Sequence, residues 1–283
     1  MKVAALLSPS VDAAVMRRFR VDERIQITCV EQFTADYDAA LVFGGDGTIH
    51  RHLPQLHATM IPVLIVPCGS GNDFAHSLGI HDISIAVRAW KRFCAEKPNV
   101  REIDLGLIQK DDHETLFCCV AGAGLDAKAN ARANRMPASL RSTAGYLMAA
   151  LRALATLEPL EIQIRADGRS EKQPALFIAV ANASRYGNGM KVAPKAQLDD
   201  GKLDICLVRR MNKLKALFCL PAIYFGSHLR LREVTYFQSE TIAIDSVPRL
   251  EVYADGEYVC ETPARMNVVP HAMKVIYPFA AQT

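Results

Sequence analysis

The sequence predicts an α/β domain built on a parallel sheet, followed by a second domain in which strands dominate. Two short apolar runs, Ala39–Phe43 and Ile61–Pro67, each end in a glycine turn and then in a helix start. Bounded apolar runs of this length mark buried strands, and strand–turn–helix units in succession build parallel sheets. Beyond Val100 the pattern changes to strand after strand separated by turns. With 283 residues the chain also stands near the length at which one core gives way to two.

Taken in order, Lys2–Leu7 is a strand, Val11–Phe19 has helical spacing, and Arg24–Val30 is a strand. Glu31–Asp38 is too short for a standard crossover helix, because a parallel crossover usually takes about a dozen residues. The two glycine turns follow, and Ile83–Cys94 reads as an amphipathic helix carrying the sole tryptophan, Trp90. Leu116–Ala121 predicts a strand and Gly122–Asp126 a turn. Ala127–Arg135 and Ser139–Leu157, rich in alanine and leucine, predict helices. Leu160–Ala166 and Pro174–Ala181 are strands around a turn at Asp167-Gly168. Met211–Tyr224 is helical, Thr241–Asp245 and Arg249–Ala254 are strands, Asp255-Gly256-Glu257 turns the chain, and Val268–Tyr277 supplies closing strands.

Composition excludes several classes. A formal net charge of +3 is too small to indicate nucleic acid. Half of the residues are hydrophobic, yet no stretch approaches the ~18–20 apolar residues of a membrane span. Met1–Leu7 reads as a first strand and not as a signal peptide. The 8 cysteines form no Cys-x-x-Cys pair and sit among apolar residues, which indicates a reduced, cytoplasmic protein with buried thiols. Cys68 reads as packing beside the second glycine turn. The histidines of the first domain, among them His52, His57, His76 and His81, are too irregularly spaced for a metal site.

The chemistry centres on Gly44-Gly45-Asp46-Gly47-Thr48. Glycines between a strand and a helix let a ligand approach the main chain, and the helix behind them offers unpaired N–H groups and a positive dipole end to phosphate. Asp46 would repel phosphate unless a magnesium ion bridges them or it serves to remove a proton. The second turn, Cys68-Gly69-Ser70-Gly71-Asn72-Asp73-Phe74-Ala75, repeats the arrangement from the next strand. Two such loops open on one edge of a parallel sheet, where α/β sheets bind ligands.

Together these two segments resemble the diacylglycerol kinase catalytic family, which includes soluble bacterial lipid kinases and the sphingosine and ceramide kinases. NAD kinases carry a similar first turn but not the second. The resemblance implies an N-terminal α/β NAD kinase-like domain over residues 1–103 and a C-terminal antiparallel β-sandwich over 104–270, with the tail 271–283 returning to the first domain. Glu102-Ile103-Asp104-Leu105-Gly106 is similar to the family's entry into its second domain. The first residues depart from the family, with Ser8 and His50 where asparagines are usual and the short Glu31–Asp38 where a helix is usual.

The resemblance also implies a reaction: an ATP-dependent lipid kinase, with magnesium, phosphorylating the hydroxyl of diacylglycerol or a related lipid alcohol. The nucleotide would lie on Ser8, Gly44, Gly45, Asp46, Gly47, Thr48, His50 and Ser70. Asp46 would hold catalytic magnesium through water, and Glu257 matches the family's Asp-Gly-Glu acid, its general base. Asp104 would complete the carboxylate–water–metal network. Tyr186–Pro194 and Leu198–Asp204 resemble the family's glycine-rich segment and the turn that holds a structural magnesium, with ligands at the Asp200 carboxylate and the carbonyls of Gln197 and Lys202. On their own, Asp-Asp-Gly and Asp-Gly-Glu are ordinary hairpin turns.

A lipid substrate implies peripheral contact with a membrane surface. Arg132, Arg135 and Arg141, and the basic ends around Lys213, Lys215, Arg230 and Arg232, are solvated faces or headgroup contacts. A homodimer is compatible with the sequence. Two alternatives stay open: an NAD kinase-like enzyme acting on a soluble nucleotide, and a non-catalytic lipid- or nucleotide-binding relative. The apolar pocket of such an enzyme leaves no legible motif for the lipid.

Overall fold

The computed structural model describes residues 1–9, 11–95, 99–124 and 160–278. It divides into two compact units, one of Met1–Asp104 with the C-terminal segment from Pro270, the other of Leu105–Val269.

The first unit is a parallel α/β layer. Strands β1 (Lys2–Leu7), β2 (Gln26–Cys29), β3 (Ala39–Gly44) and β4 (Val63–Pro67) lie in the order β2-β1-β3-β4. The C-terminal end of β15 (Ala264–Ile276) adds a further parallel strand, with Val275 opposite Val63. β3 is buried along its whole length, as an apolar run in the middle of a sheet covered on both faces must be. The short helix α1 (Ala13–Arg17) links β1 to β2, and β2 reaches β3 without a helix, as the brevity of Glu31–Asp38 requires. Phe33 of that loop is buried, and its N–H donates to Gln55 at 3.1 Å.

Helix α2 (Asp46–Thr59) follows β3 and buries Ile49, Leu53 and Leu56 at the spacing of one helix face. Helix α3 (Asp73–Ser77) follows β4. Helix α4 (Ile83–Cys94) spans the residues its periodicity predicts; Asp82 caps it by accepting the Ile85 N–H at 2.8 Å. Trp90 is fully buried on it and donates its indole N–H to the Phe19 carbonyl at 2.8 Å.

The second unit is an antiparallel sandwich whose layers share one long strand. β9 (Arg169–Ala181) pairs through its first half with β8 (Leu160–Ala166), and through its second half with β7 (Val120–Gly124) and β10 (Leu203–Arg209). One layer continues through β13 (Glu251–Ala254) and β14 (Glu257–Glu261) on one side, and through β11 (Val234–Ser239) on the other. The other layer runs from β8 through β12 (Thr241–Val247) and β15 to β5 (Val100–Lys110) and β6 (His113–Phe117). Alternate residues of both layers, such as Ile164, Ile178, Ile205 and Ile244, meet in one apolar core. Helix α5 (Lys213–Tyr224) follows β10; its cap, Asn212, accepts the Lys215 N–H at 2.7 Å.

Two expectations need correction. Leu116–Ala121 is not one strand: β6 ends at Phe117 and β7 begins at Val120, because the N–H groups of Cys118 and Cys119 go to the Asp255 carboxylate and not to a neighbouring strand. Gly122–Gly124 is strand and not turn, with Gly122 opposite both Ala179 and Tyr253. Gly124 has φ +105, and a Cβ there would lie 2.6 Å from the Leu176 carbonyl. The helices expected over 127–135 and 139–157, and with them Arg132, Arg135 and Arg141, lie outside the described residues. Among the described residues no helix is long and apolar enough to cross a membrane, and no disulfide links the cysteines.

Candidate active site

In the first unit three neighbouring parallel strands end at one edge, and the expected nucleotide residues follow them. Ser8 comes after β1 and donates its N–H to Phe43 at 2.9 Å, Gly44 and Gly45 close β3, and Ser70 lies exposed on the turn after β4. Gly45 is the N-cap of α2 and has no side chain with which to cap it, and Asp46, Gly47 and Thr48 form the first turn. His50 follows on the same helix, half-buried. The structure therefore gathers Ser8, Gly44–Thr48, His50 and Ser70 at one sheet edge.

The glycines also have a structural role in joining the two turns. A Cβ on Gly45 would meet the Gly71 carbonyl oxygen at 2.4 Å and Gly69 Cα at 2.9 Å; one on Gly69 would meet Gly45 Cα at 2.3 Å. The missing side chains let the two turns interlock, backbone against backbone. The Asp46 N–H donates to Gly71 at 3.1 Å. The Asp46 carboxylate reaches the second turn as well, with Oδ2 accepting the Asp73 N–H and Oδ1 the Phe74 N–H, both at 3.0 Å. These are orphan donors at the start of α3, so Asp46 caps a helix that begins 27 residues later. Asn72 closes its own turn, accepting from the Gly69 N–H at 3.0 Å and donating to the Gly69 carbonyl at 2.9 Å. Burial pushes the Cys68 thiol up from its ordinary value, which keeps it inert. Asp104 is buried and accepts the His271 N–H at 2.9 Å, a partner that sequence reasoning missed.

In the second unit Glu257 is exposed at the start of β14, on a tight turn with φ 50 at Asp255 and 91 at Gly256. Asp255 anchors that turn. Its carboxylate accepts the N–H groups of Cys118 (2.9 Å), Cys119 (2.8 Å) and Val120 (3.2 Å), while its own N–H donates to Val120 at 3.0 Å. The thiol of Cys118 lies 3.4 Å from the same carboxylate. The sequence signalled Asp255 only as a turn residue.

The Asp200 turn is built by a network. Asp200 accepts the Lys202 N–H at 3.1 Å through Oδ1 and the Gln238 amide at 2.9 Å through Oδ2. The same amide lies 3.3 Å from Asp204, which also accepts the Tyr236 hydroxyl at 2.6 Å. Burial, with the charge of Asp200 adding, holds the Asp204 carboxyl above the usual range, against the pull of Tyr236 and Gln238. Burial and Asp204 push the Tyr236 hydroxyl far up. Gln197 and Lys202 are exposed on the same turn.

Comparison with known proteins agrees with both units. The family profile described as "Diacylglycerol kinase catalytic domain" matches residues 3–108, and that described as "YegS C-terminal NAD kinase beta sandwich-like domain" matches residues 119–277. A diacylglycerol kinase of Mycobacterium tuberculosis is 36% identical over 249 residues, which cover 85% of this chain and 77% of that protein. The chain belongs to the diacylglycerol kinase catalytic family. It is thus an enzyme of the lipid kinase class. A diacylglycerol kinase of Bacillus subtilis is 25% identical over 86% of the chain and 78% of its own length. Among solved structures, a diacylglycerol kinase from Bacillus anthracis superposes with a TM-score of 0.71 at 20% identity, covering 98% of this chain and 96% of that one. An NAD kinase from Archaeoglobus fulgidus in complex with ATP does so with a TM-score of 0.58 at 15% identity, covering 98% and 94%. Those two structures share the fold.

Proposed function

We propose that this lipid kinase transfers the γ-phosphate of ATP to the hydroxyl of a lipid alcohol, with diacylglycerol the best-supported substrate. The observation that carries the reading is the N-terminus of α2, which rises from the first of two interlocked glycine turns and begins on a glycine with no side chain to cap it. Such a terminus receives phosphate through backbone N–H groups. The 36% identity to a diacylglycerol kinase supports a lipid as the acceptor.

The roles follow from chemistry. The first turn of α2, with the Thr48 and Ser70 hydroxyls, takes the phosphates; Ser8 and His50 border the nucleotide. Asp46 fixes both turns by accepting the Asp73 and Phe74 N–H groups, and its carboxylate, beside the phosphate turn, would hold a hydrated magnesium ion. When bound, magnesium neutralises charge on the transferring phosphate. Glu257 takes the proton of the lipid hydroxyl as the new phosphorus–oxygen bond forms, and Asp255 holds the turn that carries it.

The Asp200 turn fits a structural magnesium ion. Asp200 and Asp204 share one amide donor, so carboxylate oxygens outnumber the side-chain donors that face them, and a hard cation would relieve their repulsion. We assign its ligands to the Asp200 carboxylate and the carbonyls of Gln197 and Lys202. A lipid substrate also calls for peripheral contact with a membrane from the cytoplasmic side, for which the exposed Arg230 and Arg232 are suited, whereas Lys215 is paired with Glu233 at 2.6 Å.

The test is a product screen: diacylglycerol, phosphatidylglycerol, a prenol, a sphingoid base and NAD are offered with ATP and magnesium, and products are weighed by mass spectrometry. Phosphorylated diacylglycerol is expected. Phosphorylation of NAD alone would overturn the reading.

A further inference from the structure

We propose that the outer face of the β8–β12–β15 layer binds a phosphate-class oxyanion clamped between Arg165 and Arg265. The site stands on residues of the second unit alone and goes beyond the reading of the reaction given above.

Register builds it. Arg165 of β8 and Arg265 of β15 both stand opposite Ala243 of the strand between them. Residues of one cross-strand row point to the same face of a sheet. The adjacent row, Ile164, Ile244 and Ala264, is buried in the sandwich core, so the arginine row faces outward, and both arginines are exposed. Two strand spacings, about 9–10 Å, separate their backbones, a span that two arginine side chains can close from either side. Ala243 leaves the floor between them open. A cavity of about 250 Å³ lies there, with Lys110 also on its wall.

Charge sets the sign of the ligand. Three cations face two carboxylates, Asp111 and Asp245, in this cavity. Among the described residues none of the three cations forms an ion pair. Asp245 turns an oxygen to its own neighbour, accepting the Ser246 N–H at 2.8 Å, and Asp111 lies in the exposed β5–β6 turn. Elsewhere on β8 the surface does pair its charges, since Glu161 meets Lys172 of β9 at 2.6 Å. Two guanidinium groups flanking one alanine repel each other. An oxyanion with three or more acceptor oxygens removes that repulsion and takes a fork of N–H bonds from each side. Phosphate meets the requirement, whether free in solution or carried on an anionic lipid headgroup.

The experiment measures binding to the full chain, with a non-hydrolysable ATP analogue present to occupy the nucleotide site. Inorganic phosphate and pyrophosphate are titrated by calorimetry, and sedimentation is followed with phosphatidylglycerol–phosphatidylcholine vesicles against pure phosphatidylcholine vesicles. The proteins are wild type, the Arg165→Gln/Arg265→Gln double variant, and Ala243→Glu, which offers the arginines an internal carboxylate. Losing charge-assisted bonds from two arginines should weaken the ligand by about tenfold or more. A drop confined to the phosphates identifies a free anion as the source, and a drop confined to the anionic vesicles identifies a headgroup. Both variants are expected to fall together and to melt like wild type, since the changed side chains lie outside the core. Equal phosphate affinity and equal vesicle binding in all three proteins would overturn the site.

Discussion

Substituting Gly45 by alanine tests how the phosphate turns are built. The added Cβ would lie 2.4 Å from the Gly71 carbonyl oxygen and 2.9 Å from Gly69 Cα, both of them backbone atoms. Ordinary contact begins near 3.4 Å, so the turns must part by about 1 Å. That movement stretches the Asp46 N–H bond to Gly71, now 3.1 Å, and the two bonds from the Asp46 carboxylate to α3, now 3.0 Å. Overpacking of a tight site costs about 1–3 kcal/mol, and a weakened hydrogen bond to a charged group about 1.5–3 kcal/mol. One displacement causes both, so they do not simply add; a loss of about 2–4 kcal/mol is reasonable. For a unit of roughly 100 residues each kcal/mol lowers the melting temperature by about 4–8 °C. Gly45→Ala should therefore melt on the order of 10 °C or more below wild type in scanning calorimetry, and ATP affinity should fall with it. Gly45→Val should abolish ATP binding. A Gly45→Ala protein that melts like wild type while losing ATP would refute the packing argument and return the glycine to the ligand alone.

Asp46→Asn leaves one oxygen to serve two N–H donors, so it should cost about 1–2 kcal/mol of stability, as a lost helix cap does, and should also weaken magnesium-dependent ATP binding in calorimetry. Asp200→Ala should lower the melting temperature more in magnesium than in chelator, because a bound ion stabilises the folded state alone while the bonds from Lys202 and Gln238 are lost in either case; identical melting of wild type in magnesium and in chelator would remove the structural ion. His228 is fully buried, and burial holds its imidazole below the ordinary value, opposed in part by the Val192 and Ala222 carbonyls. Unfolded histidine titrates near pH ~6.5. A depressed folded value means that its contribution is present above that pH and is lost as pH falls through it toward the folded value. Melting followed from pH 7 to pH 5 should therefore fall more steeply in wild type than in His228→Asn; parallel curves would contradict the assignment.

The parts of this protein that are local in sequence were legible in it. A strand, a glycine turn and a helix start are neighbours along the chain, so β3, β4 and α4 and the gathering of Ser8, Gly44–Thr48 and Ser70 at one edge could be read before any coordinates. What joins distant residues could not. Gly45 packs on Gly69, and Asp46 caps α3, by pairings that no periodicity encodes. The break at Cys118 arises because Asp255, 137 residues away, takes its N–H. Asp204, Tyr236 and Gln238 around the Asp200 turn, and the arginine row across Ala243, depend on strand register, which alternation alone does not fix.

The most direct measurement follows label from γ-labelled ATP into diacylglycerol in mixed micelles with magnesium, with wild type and Glu257→Gln run side by side. Wild type should yield labelled phosphatidic acid. Glu257→Gln keeps the size of the side chain but cannot accept the proton, so its turnover should be lower by about 10²–10⁴-fold with nearly unchanged ATP affinity. No label in any lipid, or a Glu257→Gln enzyme retaining more than about a tenth of wild-type turnover, below the expected effect of a lost base, would contradict the account.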